Sequence, residues 1–381
     1  MLNNNIKLNK KLFDIDVEKK ATRSGFGEGL LLAGKRDSRV VALSADLTES
    51  TQVHLFKEAY PDRFVEVGVA EQNLASVASG LSAGGKLPVI ASYAVFSPGR
   101  NWEQIRTTIC YNDRRVIIAG SHAGLSVGSD GGSHQMLEDI ALTRVLPNMI
   151  VVSPCDAIEA RKAILALTEG VESGSDVSGA GDKRETGSGI KGGVKMGPAY
   201  LRLARDKSPI ITTEETPFKL GKAQIVWGDH VDCDAGDAGD AVNNAANSVA
   251  RGVPVTGAAL CDIGIIATGP ILYNAILAAQ KLGDLKVRAK VLNLATIKPI
   301  DEEAIVALAR QSHGRILTVE EHQISGGMGS AVAEVLARRY PSKMAFVGVS
   351  DRFGQSGTTE ELYKEYGLDV DSIVEKAKGL V

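Results

Sequence analysis

The pattern of apolar and polar residues along the chain changes repeatedly between two periods. Runs of consecutive apolar, β-branched residues bounded by polar ones, such as 39–45 and 116–120, predict buried strands. Intervening stretches such as 70–83 place apolar residues three or four positions apart, which predicts helices. In the first half, strands are predicted at 39–45, 64–69, 88–91, 116–120 and 149–153, and helices at 18–35, 70–83, 100–111 and 153–167. Because the strands are apolar throughout and alternate with helices, they predict a mostly parallel sheet covered on both faces.

The same alternation begins again after a threonine- and proline-bearing connector at 209–219. Here strands are predicted at 263–267, 288–294 and 315–319, and helices at 273–282, 302–310 and 330–338. A chain of 381 residues is too long for one ordinary domain. The sequence therefore predicts the α/β class with two consecutive domains, at 1–208 and 221–381, each built on a mostly parallel sheet.

Two polar segments interrupt this pattern. Residues 170–193 contain eight glycines in 24 positions and have no apolar period, which predicts a flexible insertion in the first domain. Residues 229–259 form a second polar insertion that is rich in Asp, Asn and Ala. Its aspartates lack the glycine at position six and the closing glutamate of an EF-hand loop, so we expect a solvated loop rather than a calcium site.

The charge balance and the cysteines exclude several classes of function. The chain has 43 Lys and Arg against 46 Asp and Glu, a net charge of -3, which gives no electrostatic case for binding nucleic acid or an anionic membrane. No apolar run approaches the ~18 residues that a membrane span needs. Four widely spaced cysteines without a CxxC pair predict a reduced, cytoplasmic chain with no metal site of its own; they are Cys110, Cys155, Cys233 and Cys261.

Glu71 and two aromatic residues follow predicted strands of the first domain. Glu71 lies in the first turn of a helix, at the carboxyl end of strand 64–69, where open α/β sheets bind ligands. Its carboxyl group can hold a proton against a ring nitrogen, or it can simply complement the helix dipole. Tyr93 and Phe96 follow strand 88–91 in a chain with only 5% aromatic residues. They predict either a stacking platform for a flat heterocycle or ordinary core packing.

A glycine-rich segment at 121–135 follows the strand at 116–120 and carries His122, Asp130 and His134. On such a loop, polar side chains are free to converge on a substrate. A zinc site is the competing interpretation, but the spacing matches no zinc pattern. Arg23 and Arg205 lie near the ends of predicted elements, where a guanidinium fork suits a phosphorylated substrate; each taken alone is also typical of a surface residue.

The cluster Gly326-Gly-Met-Gly follows a predicted strand and precedes a helix. A phosphate-cradling loop is one interpretation, although the spacing fits neither nucleotide-binding glycine motif. Close packing of the helix on the strand is the other, and it is the one that we expect.

Six motifs together resemble the C-terminal half of transketolase, and most closely its split form, in which this half is a separate subunit. They are Ala21-Thr-Arg, Ser44-Ala-Asp-Leu-Thr-Glu-Ser, Val67-Gly-Val-Ala-Glu-Gln-Asn, Ser121-His-Ala-Gly, Val127-Gly-Ser-Asp-Gly-Gly-Ser-His-Gln and Ile297-Lys-Pro-Ile-Asp. They occur in the order that the family shows and cover most of the chain except its N-terminal tail and the two insertions. The resemblance implies a pyrimidine-binding domain for thiamine diphosphate, followed by a transketolase C-terminal domain.

The resemblance also implies roles for residues near the cofactor. Glu71 would meet the pyrimidine nitrogen of thiamine diphosphate and act as a catalytic acid, because its proton favours the ring tautomer that generates the reactive carbon. Tyr93 and Phe96 would lie against the pyrimidine ring. Asp46 would lie near the cofactor at a dimer interface.

For the substrate, the resemblance implies that Asp130 contacts hydroxyl groups and that His134 lies near the donor carbonyl. The phosphate end of the sugar would be bound by four residues, which are Arg23, Ser50, His122 and Arg205. His122 and His134 would also carry protons during catalysis. One departure from the family pattern is Ser129, which stands where an acid usually precedes the aspartate.

The sequence contains no Gly-Asp-Gly, part of the motif on which this family binds the diphosphate and its Mg2+. The resemblance therefore implies an N-terminal partner subunit that carries the diphosphate-binding domain and the Mg2+. Two copies of each subunit would form a heterotetramer, and within it the two copies of this chain would form a homodimer. The implied activity, in the pentose phosphate pathway, is transfer of a two-carbon ketol unit between sugar phosphates.

Three alternatives share the fold or derive from it. Deoxyxylulose-phosphate synthase typically has an arginine where His122 stands and is a full-length single chain. The beta subunit of a 2-oxoacid dehydrogenase also needs a partner, but Arg23, His122 and Arg205 favour sugar phosphates. A non-enzymatic assembly subunit has no need of Glu71, the two aromatic residues or the two histidines.

Overall fold

The computed structural model describes residues 1–169, 190–191, 194–228 and 261–381. The predicted insertions at 170–193 and 229–259 lie outside these residues, apart from 190–191. The described chain forms two α/β units, each with a mostly parallel central sheet. The predicted fold class is therefore confirmed.

The first unit is built on a seven-stranded sheet. Its strands are β2 (Val40–Ser44), β3 (Phe64–Glu66), β4 (Leu87–Tyr93), β5 (Ile117–Ser121), β6 (Ile150–Val152), β9 (Ala199–Arg202) and β14 (Thr296–Lys298), in the order β14-β6-β9-β5-β4-β2-β3. All neighbours pair in parallel except β14, which is antiparallel to β6. Strand β14 comes from the second half of the chain, so the sheet of the first unit is completed by the second.

Helices cover both faces of this sheet. They are Thr22–Arg36, His54–Ala59, Glu71–Ala83, Trp102–Gln104, Asp139–Arg144 and Ala157–Thr168. Two glycines let the first of these helices approach the last. A Cβ on Gly25 would lie 1.8 Å from the carbonyl oxygen of Ala157, and one on Gly29 would lie 2.3 Å from Ile164 Cγ2. Close helix packing thus accounts for part of the glycine content.

Small strands lie beside the large sheet. Strand β1 (Lys19–Ala21) pairs with β10 (Lys207–Pro209), so the residues that open the predicted helix 18–35 are extended instead. Strands β7 (Ile190–Lys191) and β8 (Val194–Lys195) also form an antiparallel pair. The predicted helix 100–111 is realised differently, because its main part, Ile105–Cys110, is a π-helix.

The second unit has a five-stranded sheet. Its strands are β11 (Gln224–Trp227), β12 (Ile263–Ala267), β13 (Ala289–Asn293), β15 (Arg315–Gln323) and β16 (Lys343–Val349), in the order β11-β13-β12-β15-β16. Only β11 runs antiparallel to its neighbour. The helices are Leu272–Asp284, Glu302–Gln311, Met328–Arg339, Thr359–Glu365 and Val370–Lys378.

The glycine cluster at 326–329 packs around a carboxylate of its own domain. Backbone amides of Met328 and Gly329 donate to Glu320 at 2.6 and 2.8 Å. A Cβ on Gly327 would lie 2.3 Å from Glu320 Oε2. The amides that would cradle a phosphate are therefore occupied, which supports the packing interpretation.

Two features are absent from the described residues. None of the helices in these ranges is long and apolar enough to cross a bilayer. Within the same ranges, no group of three or more His, Cys, Asp or Glu side chains is placed to hold a metal ion. Cys110, Cys155 and Cys261 are buried free thiols, while Cys233 lies outside the described part.

Asp156 organises the connector between the two units. It caps the helix Ala157–Thr168, with Oδ1 accepting from the Glu159 amide at 2.8 Å. Oδ2 accepts from the amides of Ile211 and Thr212 at 2.8 and 2.6 Å, and the Thr212 hydroxyl donates to Oδ1 at 2.9 Å. Because the carboxylate is fully buried, all these donors depend on it.

Replacing Asp156 with Ala should destabilise the fold by about 3–5 kcal/mol, because several buried donors lose a charged acceptor at once. The matched control is Asp369→Ala, which removes an N-cap bonded only within its own turn and should cost about 1 kcal/mol. Urea unfolding followed by circular dichroism measures both. Equal losses for the two variants would contradict the role of Asp156 as an organising residue.

Candidate active site

The predicted site residues of the first unit lie at the carboxyl ends of its parallel strands. Tyr93 is the last residue of β4 and is in register with Ser121, the last residue of β5. His122 follows immediately. Because neighbouring parallel strands end at the same edge of a sheet, the two rings are brought together. The Tyr93 and His122 rings stack with centroids 3.7 Å apart and planes inclined by 19°.

Phe96 and His134 complete a cluster of four rings. Phe96 lies nearly parallel to Tyr93, with centroids 6.0 Å apart. His134 meets both edge-on, at 5.7 Å from Phe96 and 6.3 Å from Tyr93. Tyr93, Phe96 and His134 are only partly buried, so the cluster presents ring surface to the outside of the chain.

His122 is held in an unusual environment. Its φ of 56° is left-handed, its exposure is 2%, and its Nδ1 lies 2.9 Å from Ser121 Oγ. Burial, together with the positive charges of Arg23 and Arg205, lowers the pKa of His122 to about 3. The imidazole is therefore neutral at physiological pH.

Glu71 begins the helix Glu71–Ala83, and its side chain is only 3% exposed. Its Oε2 accepts from Arg100 Nη1 at 3.2 Å, and its backbone carbonyl accepts from Asn101 Nδ2 at 2.9 Å. The Arg100 amide in turn donates to the Phe96 carbonyl at 3.0 Å. These contacts join Glu71 to the turn that carries Phe96, so the buried carboxyl and the ring cluster belong to one structural unit.

Arg23 and Arg205 line an open cavity of about 520 Å3 at the junction of the two units. Arg23 Nη1 donates to the Ser50 carbonyl at 2.6 Å, and its Nε donates to the Arg205 carbonyl at 3.2 Å. Arg205 donates to the Val127 carbonyl and lies 4.0 Å from Asp130. The other residues of the wall are Lys20, Ala21, Ser24, Ser126, Val127, Gly128, Ser129, Asp206, Lys207, Gly357, Thr358 and Thr359. We call this space the cationic cavity.

Of the six predicted substrate residues, Arg23 and Arg205 line the cationic cavity. Ser50 contacts Arg23 through its carbonyl rather than its hydroxyl, and Asp130 lies 4.0 Å from Arg205. His122 lies close enough for both arginine charges to lower its pKa. Asp46 stands apart, since it is exposed and has a left-handed φ of 61°. Its amide donates to Glu66 Oε1 at 2.8 Å.

Sequence reasoning missed several residues of this region. One carboxylate oxygen of Glu66 accepts from the amides of Asp46 and Gly68, and the other accepts from the Thr48 hydroxyl. Glu66 therefore holds the backbone in place at the sheet edge beside Glu71. Glu321, from the second unit, reaches the 121–135 loop. A signal for Glu321 was available, because three consecutive ionisable residues, 320–322, directly follow the predicted strand 315–319.

The residues present fit the pyrimidine side of thiamine diphosphate. A carboxyl group buried at a helix start and a cluster of partly buried aromatic rings are the groups that a flat, basic heterocycle needs for a hydrogen bond and for stacking. For the diphosphate and its metal, the described residues offer no comparable set of oxygen ligands.

Comparison with known proteins identifies the family of the chain. The family model for the transketolase pyrimidine-binding domain matches residues 18–173, and that for the transketolase C-terminal domain matches residues 258–373. The chain is 37% identical to a putative transketolase C-terminal section of Methanocaldococcus jannaschii, over 94% of this chain and 95% of that one. It is 32% identical to a 6-deoxy-6-sulfo-D-fructose transketolase subunit of a Clostridium species, over 96% of both chains.

A solved structure described as a split gene transketolase, inactive beta4 tetramer, superposes with a TM-score of 0.74. It is 36% identical, and the match covers 94% of this chain and 98% of that one. Both family models match the chain, and relatives that cover almost its whole length are more than 30% identical to it. The chain therefore belongs to the transketolase family.

The neutral state of His122 predicts a pH dependence of stability. The unfolded imidazole titrates near about 6.5, whereas the folded one titrates at about 3. Between these values the unfolded chain binds a proton that the folded chain does not, so this contribution to stability is complete above about pH 6.5 and is lost as the pH falls. The free energy of unfolding of the native protein should therefore fall more steeply over this range than that of His122→Asn.

Asn is the suitable replacement because it tolerates a left-handed backbone. His322, whose pKa burial lowers to about 4, is present in both proteins, so the difference between them isolates His122. Urea unfolding at several pH values gives the two slopes. Identical slopes would show that His122 is not held neutral.

Proposed function

We propose that this chain is the C-terminal subunit of a split transketolase. Together with a partner subunit and thiamine diphosphate, it transfers a two-carbon ketol unit between sugar phosphates. The observation that carries the proposal is the cationic cavity beside the four-ring cluster. An anionic group held by Arg23 and Arg205 would place the rest of a sugar next to His122 and His134.

On the cofactor side, thiamine diphosphate supplies, when bound, a nucleophilic carbon and an electron sink for the cleaved bond. Glu71 would hold a proton at its carboxyl group against a ring nitrogen, which requires that its contact with Arg100 be exchanged. Arg100 is 55% exposed, so its side chain can move without unpacking the core. Tyr93 and Phe96 would orient the ring through their faces.

On the substrate side, each residue has a distinct task. Arg23 and Arg205 bind the phosphate end, and Asp130 accepts from a hydroxyl group. His122 adds no positive charge to the site and so acts as a neutral hydrogen-bonding group. His134, which lies at the outer edge of the ring cluster, moves protons to and from the carbonyl oxygen.

Several observations support a partner subunit. The chain spans only 49% of rat transketolase, to which it is 32% identical, and so corresponds to about half of a single-chain enzyme. Val69, two residues before Glu71, is an apolar side chain 68% exposed on the same edge as Asp46. We therefore propose a homodimer of this chain in a cytoplasmic heterotetramer. The N-terminal partner would bring the diphosphate-binding domain and Mg2+.

The two-subunit proposal predicts that the purified chain alone has no ketol-transfer activity, even with saturating thiamine diphosphate and Mg2+. Addition of an N-terminal transketolase subunit from the same source should restore it. The assay is transfer from xylulose 5-phosphate to ribose 5-phosphate, with sulfonated and unphosphorylated sugars as alternative substrates. Activity of the isolated chain would contradict the proposed dependence on a partner.

Glu71→Gln should reduce turnover of the reconstituted complex by about 100-fold or more, because an amide cannot supply the proton. Folding and assembly should be retained, since Gln is isosteric. The control is Glu103→Gln, an exposed glutamate, which should leave turnover unchanged. Turnover is measured over a wide range of cofactor concentration, and near-native turnover of Glu71→Gln at saturation would mean that Glu71 only favours the helix start.

A further inference from the structure

The second unit contributes a buried carboxylate to the site of the first. Glu321 lies near the end of β15 and is 2% exposed. Its Oε1 accepts from the backbone amide of Ser126, 195 residues away, in a short hydrogen bond. Its Oε2 accepts from the hydroxyl of Tyr363 at 3.0 Å. One carboxylate therefore joins the 121–135 loop to the second unit.

The loop is shaped to receive this carboxylate. Gly124 has a φ of 85°, and a Cβ at this position would lie 2.5 Å from Glu321 Oε1. The next residues form the short 3-10 turn Leu125–Asp130, whose first amides have no partner within the turn. The Ser126 amide is buried with its residue, so it needs an acceptor from elsewhere, and Glu321 provides it.

The same turn holds Arg205. The carbonyl of Val127, one residue after the bound amide, accepts from Arg205 Nη1. Ser126, Val127 and Arg205 all line the cationic cavity. Glu321 thus holds the amide of Ser126, and the carbonyl of the next residue, Val127, sets the position of the Arg205 guanidinium in the cavity.

We propose that Glu321 is a positioning residue for anion binding: it fixes the Leu125–Asp130 turn and thereby the guanidinium of Arg205 in the cationic cavity. The identity of the anion as a sugar phosphate rests on the function proposed above. The positioning itself concerns only contacts within this chain.

A purely structural role is the competing explanation, and the neighbouring residue provides a matched control. Glu320 is 1% exposed on the same strand, but its carboxylate binds the amides of Met328 and Gly329 within its own domain. Glu320→Leu and Glu321→Leu remove the same chemical group from adjacent positions. Both should lower stability, whereas only Glu321→Leu should weaken anion binding.

The first experiment uses the full chain with inorganic phosphate as the probe, which requires neither the cofactor nor the partner. Calorimetric titration should show a phosphate dissociation constant about ten-fold larger for Glu321→Leu than for the native chain and for Glu320→Leu. Glu321→Gln should restore most of the affinity, because its amide oxygen still accepts from Ser126. Native affinity in a folded Glu321→Leu chain would overturn the proposal.

The second experiment uses the reconstituted complex. Glu321→Leu should raise KM for a phosphorylated acceptor about ten-fold while leaving kcat, and KM for a short unphosphorylated aldehyde, unchanged. A general loss of kcat for both acceptors would identify Glu321 as structural. If the native chain binds phosphate but the complex transfers no ketol unit, the proposed function fails and the positioning role stands.

Hydrogen exchange tests whether each of the two carboxylates holds its own backbone segment. Glu321→Leu should speed exchange of amides 125–130 and leave amides 326–329 protected, and Glu320→Leu should do the reverse. If Glu321→Leu does not fold, Tyr363→Phe is the second variant: loss of its hydroxyl should weaken phosphate binding about two- to three-fold. Native phosphate affinity and native exchange of amides 125–130 in Tyr363→Phe would then overturn the proposal.

Discussion

The buried ion pair between Arg202 and Asp139 is the interaction on which the arrangement of the site depends. Arg202 Nε lies 2.8 Å from Asp139 Oδ2, and the two side chains are 5% and 0% exposed. Tyr200 donates to the same oxygen at 2.6 Å, and Arg202 Nη2 donates to the carbonyl of Glu321 at 2.8 Å. Buried charges are costly unless their other hydrogen-bonding groups are also satisfied. Since one acceptor is a backbone carbonyl of the second unit, these hydrogen bonds form together only when both sheets are correctly placed.

This constraint explains how one strand of the second unit serves two purposes. Arg202 holds the backbone of β15 at Glu321, and side chains along a strand alternate between its faces. Glu321 therefore points to the site loop, whereas Glu320 points to the turn at Met328 and Gly329. The four rings of the cluster all belong to the first unit, and the second unit supplies a support for the loop that carries His122 and His134.

The parts of the site that were predictable from sequence are those that depend on local position. Tyr93 and His122 follow strand ends, and strand ends in a parallel sheet meet at one edge, so their proximity was foreseeable. Glu321 acts across 195 residues, and no local pattern names its partner. No strand was predicted at β9, and β14 was missed because it joins the sheet of the other domain. The apolar spacing at 100–111 predicts a helix but does not distinguish the π-helix at Ile105–Cys110 from an α-helix.

The charges around the cationic cavity show why it suits an anion. Arg23 and Arg205 are held mainly by carbonyl oxygens, and among the described residues the carboxylate within 4.0 Å of either guanidinium is that of Asp130, beside Arg205. Burial, and after it the charge of Arg205, lower the pKa of Arg23. An anion bound by both guanidinium groups would offset their mutual repulsion, and the neutral His122 adds no further positive charge. Binding energy gained at the phosphate end can then hold the reacting end of a sugar against the ring cluster, where orientation lowers the barrier.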